Sequence, residues 1–180
     1  MRRLKTAIAC LLCFSPVAWA NLCALPEALT SQAGKKQTIP FAKDKRMYIE
    51  QWLTTKTISP HSAVLATNIT CQKMEGVKYT GSKEEWYGLM NAIAKGFVQQ
   101  NAKDIELTLV GEDDAVYQGK QAHQEYTLTA DVSGNKQFIR NITWLDFDAN
   151  TALTVSVSGN EIIAPQIVEQ YKHLIHTINR

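Results

Sequence analysis

The chain has 180 residues, with 19 Lys and Arg against 17 Asp and Glu, a formal charge of +2. That length, with no internal repeat or low-complexity linker, predicts one domain. The positive balance comes from the first twenty residues, which carry three basic side chains and no acidic one; without them the charge is about −1, which argues against a nucleic-acid or anionic-membrane surface.

Arg2, Arg3 and Lys5 precede an apolar stretch at 7–14, then Pro16 and Ala18-Trp19-Ala20. This order predicts a secretory signal cut after Ala20 and a domain over 21–180. The apolar run falls short of the roughly 20 residues needed to span a bilayer. No cysteine has the preceding residues of a lipid-anchor site, so no membrane anchor is expected. Cys10 and Cys13 leave with the signal, and Cys23 and Cys71 remain to pair in an oxidising compartment. The loop of about 49 residues that they close implies roughly 4 kcal/mol of stabilisation in the chain-entropy model. The periplasm, or the external medium by way of type II secretion of an already oxidised protein, is the expected location in a bacterium.

Residues 25–33 read as a short helix ended by Gly34, followed by an extended stretch from Lys35. Segment 46–57 mixes alternation (Met47, Ile49, Leu53) with helical spacing (Tyr48, Trp52) and is read as a strand. Ser59-Pro60 turns the chain into a partner strand at 63–71. After Gly81, Ser82 and Glu85 form a capping box. Trp86, Leu89, Met90, Ile93 and Phe97 then recur at three- and four-residue steps, giving a one-sided helix. Gly88 and Gly96 within it suggest a close crossing with another element.

From Ile105 the period changes to two, so 105–110 is a strand; a turn at 111–114 and a short strand at 115–118 follow. Ala122, Gln124, Tyr126, Leu128, Ala130 and Val132 line one arm of a long hairpin that turns at Ser133-Gly134-Asn135. Phe138, Arg140, Ile142 and Trp144 return on the same face, and Ile139, Asn141, Thr143 and Leu145 form a more mixed one. Leu153, Val155 and Val157 mark another strand. Pro165 opens a last helix whose stripe is Ile167, Val168, Tyr171, Leu174, Ile175 and Ile178. One-sided helices and long hairpins predict an α+β fold, an antiparallel sheet with helices packed on it.

The candidate chemistry is sparse. Asp146, Asp148 and Asn150 open like a calcium loop, but Thr151 stands where Gly is needed and Val157 where a bidentate Glu belongs. Glu112-Asp113-Asp114 reads as a solvated turn. His173 and His176 share a helix face but supply only two of the ligands zinc needs. His61 and His123 are isolated, and there is no GxSxG elbow or phosphate loop. Asn68-Ile69-Thr70 and Asn141-Ile142-Thr143 match the glycosylation pattern inside predicted strands. Neither a metal nor a cofactor is expected. Trp86 belongs to the core of its helix, whereas Tyr48 and Trp52 are read as an exposed contact surface, because Tyr and Trp favour interfaces.

The helix at Glu85-Trp86, the strand at 105–110, the hairpin through 126–129 and 138–143, the strand at 151–158 and the final helix resemble the PsbP-like superfamily. The likeness covers roughly 79–180. It implies an α/β/α sandwich used mostly for protein contacts, while the N-terminal third departs from the pattern. The leading expectation is therefore a non-enzymatic exported protein that presents a sheet face or edge to a protein partner, or to a second copy as a homodimer. A hydrolase or metal-dependent enzyme without a recognisable motif, and a secreted effector or inhibitor of an envelope protein, are the alternatives.

Overall fold

The computed structural model describes residues 22–111 and 122–179. The export signal read over 1–20, the Glu112-Asp113-Asp114 turn and the short strand at 115–118 lie outside them. A 3-10 turn (Glu27–Leu29) leads into strands β1 (Lys35–Ala42), β2 (Lys45–Ile58) and β3 (Ala63–Glu75), then helix α1 (Lys83–Gln99). Strands β4 (Lys103–Val110), β5 (His123–Val132), β6 (Asn135–Asp146) and β7 (Thr151–Asn160) follow, and a 3-10 turn (Glu161–Ile163) delivers the chain to helix α2 (Ala164–Ile178). The strands form a seven-stranded antiparallel sheet of order β1-β2-β3-β7-β6-β5-β4, so the fold is α+β.

Register gives the sheet two different faces. Trp52, Ile69, Val155 and Ile142 stand in one row across β2, β3, β7 and β6. On that face α2 buries Ile167, Tyr171, Leu174 and Ile178. The neighbouring row, Leu53, Asn68, Ser156, Asn141, Tyr126 and Leu109, points the other way. Here α1 packs Ile93 and Phe97 on Leu128, Ala130 and Ile139, and Trp86 and Leu89 on Leu145, Ala152 and Tyr79. The two helices therefore lie on opposite faces. Strand β7, flanked by β3 and β6, is buried on both; it sets Leu153, Val155 and Val157 against α2 and the smaller Ala152, Thr154 and Ser156 on the opposite side.

Three expectations are corrected by this geometry. The helix read at 25–33 is only the turn Glu27–Leu29. Leu22, Leu25 and Leu29 pack directly on the core, and Cys23 is bonded to Cys71, so this segment follows the sheet surface rather than its own helical period. Gly88 and Gly96 do not mark a close crossing: a Cβ at either would meet nothing within 4 Å. In the β5–β6 hairpin the two-residue turn at Ser133 (φ 55) and Gly134 (φ 82) pairs Val132 with Asn135. That register joins Tyr126 and Leu128 to the face of Asn141 and Ile139, and sends Phe138, Ile142 and Trp144 to the other side, because side chains alternate along each strand.

Candidate functional site

Strands β1 and β2 form a hairpin with unequal arms. Strand β1 has 8 residues and β2 has 14, and their pairing stops where Lys35 meets Gln51. The last six residues of β2, Leu53 to Ile58, continue to pair with β3, but among the described residues no strand lies on their outer side. Six residues in extended geometry give about 20 Å of open edge. The edge of β1, by contrast, carries Lys35, Lys36, Pro40 and a bulge between Pro40 and Ala42, features that discourage edge pairing.

Beside the open edge, on the α2 face, lies a cleft of about 470 Å³. One wall is the N-terminal segment (Leu29, Gln32, Lys35), the floor is Trp52 and Thr54 of β2 with Thr67 and Ile69 of β3, and the far wall is Gln170 and Leu174 of α2. The disulfide holds the N-terminal wall in place: Cys23 and Cys71 are 48 positions apart with a Cα separation of 5.9 Å, and both are buried. Farther along the same segment Gly34 crosses the sheet, where a Cβ would sit 2.8 Å from both Glu50 Cγ and Trp52 Cε2. The Trp52 indole N–H donates to the Gln32 carbonyl at 3.1 Å.

The charge of the cleft is lopsided. Lys35 lines it and no carboxylate does. Lys56, on the open edge, donates to Gln170 Oε1 at 3.2 Å. The acid of β2 beside the cleft floor is engaged elsewhere: Glu50, only 4% exposed, pairs with Lys36 at 3.5 Å. On the opposite face of the same edge the side chains of β2 and β3 are uncharged, with Leu53 62% and Val64 53% exposed.

The two residues read as a contact surface have other positions. Trp52 is buried, 7% exposed. As an even-numbered member of a regular strand it faces α2, and the segment at 32–34 covers it; this overturns its reading as an exposed anchor. Tyr48 is half-buried and donates its hydroxyl to Glu75 Oε2. That hydrogen bond, more than any other influence, holds the phenol above its ordinary pKa. The cysteine pair does form. Neither the open edge nor its cleft was singled out in the sequence, because an overhang depends on where the neighbouring strand stops pairing and not on the residue pattern within β2.

The other chemical candidates do not converge. His61 lies in the β2–β3 turn, His123 on β5, and His173 and His176 on α2. Among the described residues no three His, Cys, Asp or Glu side chains are placed to hold a metal ion. Asp146 acts as a turn cap instead, accepting from the N–H groups of Asp148 (3.0 Å) and Ala149 (2.9 Å). Asn141, in one of the glycosylation patterns, is fully buried. Glu125 and Arg140 form an ion pair on the α2 face, with the guanidinium 5.2 Å from the Tyr171 ring centre. This charge pair sits under α2 with 0% of the carboxylate side chain exposed, which suits a structural role better than contact with a substrate. No described helix is long and apolar enough to cross a membrane. Comparison with known proteins finds no matching family model, no matching curated protein and no matching solved structure.

Proposed function

We propose that this is an exported, non-enzymatic binding protein that takes an extended segment of a protein partner as an added strand along Leu53 to Ile58. The observation that carries this reading is the six-residue overhang of β2 beside a preformed cleft. An edge of this kind offers backbone hydrogen bonds for affinity, and neighbouring pockets for alternate side chains give selectivity. The buried disulfide supports export, because such bonds persist in oxidising compartments. The PsbP-like family stands as part of the same proposal, supported by the order of elements from α1 onward and by the helices on opposite faces.

The test is selection of extended octapeptides against the oxidised protein, with proline placed on the edge as the control. Consecutive strand residues turn their N–H groups to opposite sides, so one of Thr54→Pro and Thr55→Pro spares the β3 ladder; the variant that keeps the wild-type melting temperature is the reporter. Selected peptides should lose about tenfold or more in affinity for it, equivalent to roughly 1.4 kcal/mol. Amide exchange at Leu53 to Ile58 should slow when they bind. Peptides that bind the proline variant equally well, or a hydrolase activity that His61→Ala or His123→Ala abolishes, would overturn the proposal.

A further inference from the structure

We infer that the strand this edge accepts is acidic, with carboxylates three positions apart that reach Lys35 and Lys56 from opposite faces; this rests on the edge-pairing reading above. The register sets the spacing. Lys35 stands opposite Gln51 on β2 and so begins on the side of Gln51 and Leu53, whereas Lys56 lies on the α2 side, where it reaches Gln170. A residue of the added strand facing Leu53 emerges next to Lys35, and one facing Lys56 emerges next to that ammonium. Because side chains alternate, these two positions, three apart, present one carboxylate to each face. The position between them that faces Thr54 turns toward the cleft floor, where Ile69 and Leu174 favour an apolar side chain.

Charge complementarity selects this partner over a neutral or basic one. Lys35 and Lys56 flank the open edge, one on each face, and Glu50, the acid of β2 beside the cleft floor, already has a basic partner in Lys36. Glu169 is turned about 100° around α2 from Gln170, away from the cleft wall. A basic strand would therefore meet two ammonium groups that have no carboxylate partner among the described residues, while an acidic strand meets its complement at both ends.

The probes are fluorescein-labelled octapeptides with an Asp-Val-Thr-Asp centre, its reversed order, and the matching Asn and Lys versions, measured by anisotropy against the oxidised protein. Better binding of the Asp peptide than the Asn peptide, by about fivefold at low salt, is expected for two partly exposed ion pairs, and the difference should shrink as salt rises. In the double variant Lys35→Glu and Lys56→Glu the preference should pass to the Lys peptide, with an unchanged melting temperature showing that the fold is intact. Asp and Asn peptides that bind alike, yet lose affinity for the proline reporter, would sink the charge inference and leave edge pairing standing. Absence of binding by every peptide, or binding that the proline reporter retains, would sink both. A concentration-dependent dimer that the proline reporter abolishes would identify a second copy as the occupant and overturn the acidic strand.

Discussion

Tyr126 is 1% exposed on β5, facing Asn141 across the β5–β6 ladder. Its hydroxyl has no hydrogen-bond partner among the described residues. Burial raises the phenol above its ordinary value of 10.0, and burial together with Glu85 does the same to Tyr79. A phenol whose folded pKa exceeds its unfolded one leaves stability complete below the unfolded value and removes it as pH rises toward the folded value. The denaturation midpoint should therefore hold steady to about pH 10 and fall above it. Tyr126→Phe should flatten that fall while costing little at neutral pH, because it removes a buried hydroxyl without breaking a bond. A midpoint measured across alkaline pH checks this; a decline equally steep in the variant would contradict it. Neither shift could be read from the sequence, where Tyr126 is one apolar position in an alternating run.

Helix α1 shows how far local rules reach. Ser82 caps it as its spacing from Glu85 predicts, its hydroxyl accepting from the Glu85 N–H at 3.2 Å. The Glu85 carboxylate reaches past the Ser82 N–H that a capping box uses, accepting from Gly81 (2.7 Å) and Thr80 (2.8 Å), one and two residues before the cap. The start of the helix and its apolar stripe were legible because both depend on neighbours within two turns. The reason for its glycines was not, because a close crossing depends on what lies above each one, and open space lies there. Gly88→Ala and Gly96→Ala should therefore each raise stability by up to about 1 kcal/mol through helix propensity alone, and Ser82→Ala should lower it by about 1 kcal/mol. Denaturant melts of the three variants check both signs. If either alanine destabilises the protein, then something does pack over that glycine.

Across the sheet the helices are offset: the α1 backbone comes nearest β5 and β4, with Trp86 and Leu89 reaching Leu145 of β6 and Ala152 of β7, and the α2 backbone comes nearest β7 and β6. The β1–β3 end thus depends on the N-terminal segment for cover on the α2 face, and the disulfide is what anchors that segment. Replacing both Cys23 and Cys71 with Ser should cost roughly 4 kcal/mol by the loop-closure relation, measured in denaturant. It should also expose Trp52, shifting its fluorescence to the red before global unfolding. A double variant with wild-type stability and an unshifted spectrum would show that packing of Leu22, Leu25 and Leu29 suffices to hold the wall. The sequence by itself determined the strands, both helices, the cap and the cysteine partners, because hydrophobic period, turn chemistry and cysteine count are properties of the chain. Only the tertiary structure decided that Trp52 is core, that β7 inserts beside β3, and that β2 overhangs its neighbour. Each of these depends on which distant strand lies alongside and in what register, and a single residue of slip would turn every side chain to the opposite face.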